Sequence, residues 1–325
     1  MRTHVSLKRH LLPVLFLLIT CFSSKSQSVG FLDGKVELGL NLGPSFFLGD
    51  LGGTRGKGKT FVKDVNIPFT KLMKGLYLNI YPREWLGFRL AANFGELEAA
   101  DSIISSGGKD EWFRKKRNLY FKSKLSEAYF AMEIYPTVFL EQYDGLQGKL
   151  RPYGLIGIGI YHFNPTAEYI EPNGERRWVD LKPLRLEGQG MSQYPDRKEY
   201  KLTQMNVPMG FGVKYYVKET MYIGLEVLHR KTFTDYIDDV STKYVDPVVF
   251  SQYLSPQDAV VANQLYYREN LLPNYRPTRH IGQQRGDPTE NDAYFSGLLR
   301  FGWRLNGDNS PNARAKKQLR CPVYF

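Results

Sequence analysis

Apolar residues recur at every second position along most of the chain, which is the period of a strand and not the 3.6 of a helix. Val36, Leu38, Leu40 and Leu42 alternate with Glu37, Gly39, Asn41 and Gly43. Leu76, Leu78 and Ile80 alternate with Gly75, Tyr77, Asn79 and Tyr81. Leu86, Phe88, Leu90, Ala92 and Phe94 oppose Gly87, Arg89, Ala91 and Asn93, and Ala128, Phe130, Met132 and Ile134 oppose Glu127, Tyr129, Ala131 and Glu133. In the second half, Ile156, Ile158 and Ile160 face away from Gly157, Gly159 and Tyr161. Val207, Met209, Phe211 and Val213 oppose Gly210, Gly212 and Lys214; Ile223, Leu225 and Val227 oppose Gly224, Glu226 and Arg230. Phe295, Leu299, Phe301, Trp303 and Leu305 oppose Ser296, Arg300, Gly302 and Arg304. The pattern predicts eight strands, each near the ~9–11 residues that cross a bilayer at a tilt.

The non-aliphatic face decides what kind of sheet this is. It holds glycine, tyrosine and charges of both signs, so that Glu37, Glu127, Glu133 and Glu226 can meet Arg89, Lys214, Arg230, Arg300 and Arg304. A soluble sandwich or lipocalin-like barrel turns its aliphatic face inward. An eight-stranded membrane barrel turns it to lipid and fills a narrow interior with side chains. The expected fold is an all-β, eight-stranded antiparallel transmembrane up-and-down barrel, too narrow for a general porin.

Connection lengths agree with that choice. The first, third, fifth and seventh connections are long, at about 50–71, 99–122, 165–203 and 235–291. The others are shorter: Pro82–Trp85, about 137–150, and Lys218–Thr220. Long external loops and short periplasmic turns are the outer-membrane rule, and an even strand count leaves both ends of the barrel in the periplasm.

Of 325 residues, 44 are Lys or Arg and 33 are Asp or Glu, a formal charge of +11. Arg2, Lys8 and Arg9 precede the apolar run Leu11–Thr20, and Ser26 and Ser28 are small enough for positions −3 and −1 of a cleavage site. Residues 1–28 therefore read as a signal peptide, and removing their four cations takes the charge from +11 to +7. The apolar run is too short for a spanning helix, which needs about 20 residues. Cys21 is expected to leave with the leader. The division is signal peptide 1–28, barrel 29–305 and periplasmic tail 306–325.

Candidate chemistry is sparse. Gly53–Thr60 matches the phosphate-loop pattern, but an alternating strand precedes it and Pro68 with no helical period follows, so it reads as a loop tip. Asp235, Asp238 and Asp239 could hold calcium, yet the EF-hand glycine and glutamate are missing and a hydrogen-bonded turn is expected. His162, His229 and His280 form no catalytic or metal motif. No metal, no cofactor and no enzymatic activity are expected, and nucleic acid is not expected in that compartment. Arg114, Lys115, Lys116 and Arg117 follow Trp112-Phe113 on the second long loop and could meet lipopolysaccharide phosphate. The tail reads as a flexible basic arm ending near one leftover cysteine, Cys321. An odd cysteine in an oxidising compartment suggests an intermolecular disulfide or a free thiol.

Four segments, Leu40–Leu51, Arg151–Ile160, Leu181–Gly190 and Phe233–Tyr244, together resemble the PorG-like outer-membrane barrels associated with the type IX secretion and gliding machinery. Glu187-Gly-Gln-Gly190 and Thr234–Asp239 are the more specific parts, and Cys321-Pro322 matches the Cys-Pro dipeptide with which the family's tails tend to end. The resemblance implies a non-enzymatic outer-membrane component that anchors or aligns a periplasmic ring built from a lipoprotein and its partner protein, with Cys321 suited to attachment. The rival readings are a surface adhesin or ligand receptor using loops 165–203 and 235–291, and a surface hydrolase or palmitoyl-type transferase.

Overall fold

The computed structural model describes residues 35–52, 67–104, 109–140, 145–273 and 281–319. The signal peptide 1–28, the Gly53–Thr60 loop, His280 and Cys321 lie outside the described residues.

The alternating segments become β1 (Val36–Leu48), β2 (Lys71–Arg83), β3 (Leu86–Ala100), β4 (Tyr120–Ile134), β5 (Leu150–Ile170), β7 (Thr203–Lys218), β8 (Met221–Thr232) and β9 (Ala293–Arg304). Each pairs antiparallel with its sequence neighbour, β1 pairs with β9, and β4 with β5, so the eight strands close into a barrel. A further short strand, β6 (Arg176–Asp180), folds back on the far end of β5 and takes no part in the wall. The strands are longer than a bilayer needs, from 12 residues in β8 to 21 in β5. The excess lies on the long-loop side, where the extended strands carry a folded cap.

Register fixes the faces. Leu78, Leu90, Phe130, Ile158 and their outward neighbours form a continuous apolar belt, with Ile158 61% exposed. Glu37, Arg89, Glu133, Lys214, Arg230 and Arg300 alternate with them and are fully buried. On β3 the outward residues from Leu86 to Phe94 are all apolar. That is about 27 Å of strand at ~3.4 Å per residue, or roughly 20 Å of height once tilted by ~40°. A belt of this size on the outside, with ions inside, inverts the arrangement that water selects. This is the wall of a membrane-spanning barrel.

The two ends differ. At the short-turn end, Glu219 accepts hydrogen bonds from the Leu146 and Gln147 amides at 2.9 and 3.1 Å, tying two connections together. Trp85 and Phe139 pack at 6.1 Å beside the exposed Leu140. At the other end, two apolar clusters build the cap. One continues the lumen through Phe47, Phe121, Phe163 and Ile237. The other joins Tyr169, Leu184, Val245, Phe250 and Leu265 around the helix Pro256–Leu265, whose first turn is capped by Ser255.

Candidate functional site

Inward positions from β1, β3, β4, β7, β8 and β9 meet in the lumen as two layers of ions. In the layer nearer the short turns, Glu133 accepts from Arg89 Nε at 2.5 Å and from Asn79 Nδ2 at 3.0 Å, and also from the Tyr135 hydroxyl. Lys214 Nζ and Arg300 Nη1 stand 3.6 and 3.7 Å from its carboxylate. Glu226 is held by Arg89 at 2.7 Å, by Arg300 at 3.2 Å and by the Tyr153 hydroxyl at 2.6 Å. Glu37 takes Lys214 at 2.8 Å, the Tyr81 and Tyr216 hydroxyls at 2.7 and 2.9 Å, and Arg304 at 3.6 Å.

Tyrosine rings fill what the ions leave. Lys214 Nζ lies 4.5 to 5.6 Å from the rings of Tyr222, Tyr81, Tyr135 and Tyr153, and the Arg300 guanidinium is 3.8 Å from the Tyr77 ring. Such contacts attract a desolvated cation through the ring quadrupole. Tyr77 and Tyr222 share a 2.7 Å hydrogen bond across the barrel. Gly39 makes room for this: a Cβ there would sit 2.1 Å from the Tyr77 hydroxyl.

The second layer is separate. Arg230 binds Glu127 through Nη2 at 2.5 Å, and Asn93 and the Tyr294 hydroxyl complete the carboxylate at 2.6 and 2.7 Å. Arg230 Nη1 also donates to Ser296 Oγ at 2.5 Å. The structure thus brings all nine sequence-selected ions into the lumen, divided between two layers, with Glu127 and Arg230 forming their own. The charge pattern gives no weight to the asparagines that satisfy the carboxylates, Asn79, Asn93 and Asn206, although their inward parity could have found them. The lower layer sets Glu37, Glu133 and Glu226 against Arg89, Lys214, Arg300 and Arg304, and the upper pairs Glu127 with Arg230, so every carboxylate is bound by at least one cation inside the wall.

Arg114–Arg117 departs from the expected exposed loop cluster. These residues end a helix, Lys109–Arg117. Arg117 is buried and binds Asp101 with both Nε and Nη2, at 2.8 and 2.9 Å. Arg114 donates to the Gly52 carbonyl at 2.9 Å, and Lys116 pairs with Glu269. Of the four, Lys115 is the most open to solvent. The cluster holds the cap to the barrel rim and does not present four free cations to phosphate.

The two specific motifs meet in the cap. Glu187 accepts from the Ser241 and Thr242 amides at 3.0 and 2.8 Å and from Arg285 Nη1 at 2.8 Å. Arg285 also donates to the Asp239 carbonyl at 2.6 Å. The Glu187-Gly-Gln-Gly190 turn needs its glycines, since Gly188 and Gly190 have φ of +76° and +72°, where side chains other than glycine are strained. Asp238 accepts from the Leu51 and Val240 amides at 3.2 and 2.9 Å, so the aspartates do build a hydrogen-bonded turn.

Asp50, Asp235, Asp238 and Asp292 are crowded beside this turn. Burial pushes Asp50 up to about 6, with Glu187 and Asp287 adding to it and Arg117 opposing. Burial, then Asp50, push Asp235 up to about 10 and Asp238 well above the carboxylate range. Burial raises Asp239 to about 7 against the pull of Arg285. The two arginines facing these acids are already bound to Asp101 and Glu187. Among the described residues no three His, Cys, Asp or Glu side chains are arranged to hold a metal ion.

The tail also departs from expectation over its described part. Pro311–Leu319 is a helix, not a flexible arm, and begins after a turn in which the Ser310 amide donates to the Gly307 carbonyl at 3.0 Å. It stands at the short-turn end with Arg314, Lys317 and Leu319 exposed.

No protein-family model matches the chain, and no curated protein does. Among solved structures, the N-terminal β-barrel domain of Pseudomonas aeruginosa OprF is similar over 82% of this chain and 96% of its own, at 8% identity and a TM-score of 0.30. The attachment invasion locus protein Ail of Yersinia pestis matches over 83% and 96%, at 8% identity and 0.31. A major outer membrane protein from Thermus thermophilus matches over 83% and 99%, at 10% identity and 0.33.

Proposed function

We propose that this chain is a non-enzymatic outer-membrane barrel that anchors or aligns a periplasmic assembly, within the type IX secretion machinery its motifs resemble. The observation that carries this reading is the lumen. Its side chains are fully buried in two hydrogen-bonded layers, which suits a rigid foothold and not a conduit. The work then falls to the ends. At the short-turn end, the basic helix Pro311–Leu319 and residues 135–140 and 145–149 offer contacts for a ring lipoprotein and its partner, with Cys321 following the helix in sequence.

The test is affinity isolation from crosslinked envelopes, with full-length protein beside a variant lacking residues 306–325. Loss of the co-purifying periplasmic proteins and of export, with the barrel still in the outer membrane, is the expected result. Unchanged export and unchanged partners would refute the anchoring role. A heavier species on non-reducing gels that disappears with Cys321→Ser would identify the attachment as covalent. The structured cap, with an apolar cluster of its own, favours the adhesin reading as the alternative. That reading wins if deleting cap residues 171–202 abolishes cell attachment while tail deletion does nothing.

A further inference from the structure

The outward wall of the barrel is chemically lopsided. Between the residues that flank the short turns and the row of Phe94 it carries no charged side chain among the described residues. Outward charges on the wall begin at that row and continue on the long-loop side, and they concentrate on β2, β3 and β4. Lys74 on β2 is level with Phe94, and Phe94 with Ser126 on β4. Lys124 lies one outward step further toward the loops, opposite Glu96. The two lysines are therefore two strands apart, about 10 Å at ~4.8 Å per strand, and offset by roughly 7 Å along them.

The acids on this patch are taken. Glu96 pairs with Lys122 at 2.9 Å. Glu98 is bound by Lys71 and accepts from the Tyr120 hydroxyl at 2.7 Å. Lys74 and Lys124 are exposed, and neither has an acidic partner among the described residues. Below them is an apolar shelf: Leu76, Leu90 and Phe130 are each at least half exposed, and Phe130 stacks on Phe88 at 5.7 Å. Above them, Tyr120 packs at 5.6 Å on Trp178 and 6.1 Å from Phe69, a rim of the kind that sits at headgroup level.

We infer that the outward face of β2–β4 is a binding site for a bis-phosphorylated glycolipid of the outer leaflet, with Lys74 and Lys124 each meeting a phosphate, acyl chains on the Leu76–Phe130 shelf and sugars against the Tyr120–Trp178 rim. The charge complementarity is specific to this patch. Two cations without acidic partners sit together where the apolar belt ends, whereas Arg83 and Lys218 at the opposite boundary flank turns on strands that do not pair. The inference rests on the outer-membrane placement proposed above. It moves lipopolysaccharide contact from the Arg114–Arg117 helix, whose cations are largely committed, to the wall.

The experiment uses the full-length folded barrel in neutral detergent, with bis-phosphorylated lipid A, dephosphorylated lipid A and phosphatidylglycerol as probes, read by native mass spectrometry and by thermal shift. Lys74→Gln/Lys124→Gln removes the two cations without touching an ion pair, and Lys231→Gln on β8 is the control. The wild type and the control should bind lipid A about tenfold or more tightly than the double variant does, and lipid A over its dephosphorylated form by a similar factor. Equal binding by wild type and double variant overturns the site. Equal binding of phosphatidylglycerol and lipid A overturns the choice of ligand. Fractionation of the wild type keeps the two failures apart: recovery in the outer membrane with indifferent lipid A binding sinks only this inference, whereas absence from the outer membrane sinks the placement itself.

Discussion

Replacing Glu133 by Gln keeps the shape of the side chain and removes one charge from the centre of the lower lumenal layer. Arg89, Lys214 and Arg300 all lie within 3.7 Å of the Glu133 carboxylate. After the substitution those three cations share Glu37 and Glu226, and every group concerned is fully buried. Taking one partner from a buried ion pair leaves an uncompensated charge and costs about 3–5 kcal/mol. Removing both members costs much less, because the desolvation penalty leaves with them. Arg89→Met/Glu133→Leu should therefore be more stable than Glu133→Gln, since Glu226 retains Arg300 at 3.2 Å and Tyr153 at 2.6 Å. The assay is urea unfolding in phospholipid vesicles, followed by fluorescence of Trp85 and Trp303 near the short-turn end. A single-variant cost below about 1 kcal/mol, the range of solvent-exposed pairs, would mean that the lumen is wet and would refute the sealed interior.

Two further outcomes test the wall and the cap. Ile158, midway up the apolar belt and 61% exposed, should cost about 2–4 kcal/mol as Ile158→Arg in vesicles. Leu271→Arg in the cap, where the leucine is also exposed, should stay within about 0.5 kcal/mol, and equal costs would place the belt in water. The cap should also loosen as pH rises. Its aspartates have folded-state values raised above the ordinary 3.8, to about 6 for Asp50, about 7 for Asp239 and about 10 for Asp235. A raised carboxyl binds its proton more tightly when folded, so its contribution is fully present below about 4 and is lost as pH climbs through those values. Limited proteolysis of the inserted barrel should cut cap residues 233–273 several-fold faster at pH 8.5 than at pH 5 once protease activity is normalised, and Asp235→Asn should flatten the difference. A pH-independent rate would show that these carboxyls are not protonated in the fold.

The barrel was legible because a strand has a period of two, and because both faces of this wall are chemically pure. Leu38 could not be misread as inward while Glu37 and Gly39 flank it. The cap follows no such rule. Its contacts join Leu51 to Asp238 and Glu187 to Arg285, pairs that no local pattern relates. The helix Lys109–Arg117 escapes a hydrophobic-period search because its two large apolar residues, Trp112 and Phe113, are adjacent and exposed. The run of four cations at its end therefore looks like a solvated cluster until Arg117 is seen to bind Asp101. β6 is equally opaque: in Arg176-Arg-Trp-Val-Asp180 no face is buried, so nothing alternates.

Buried ion pairs are weak evidence for stability, but they can specify which arrangement forms. A one-residue slip of β3 would send Arg89 into lipid and Phe88 into the lumen, and the same holds for β1, β4, β7, β8 and β9, each of which carries at least one lumenal ion. The ties also run across the barrel as well as along it. Lys214 on β7 reaches Glu37 on β1, while Arg89 on β3 reaches Glu226 on β8. β9 holds Arg300 and Arg304, which engage carboxylates on β1, β4 and β8. The tail leaves the wall immediately after Arg304, so a pull on it is transmitted through those ions to strands on several sides of the cylinder rather than peeling β9 from its two neighbours.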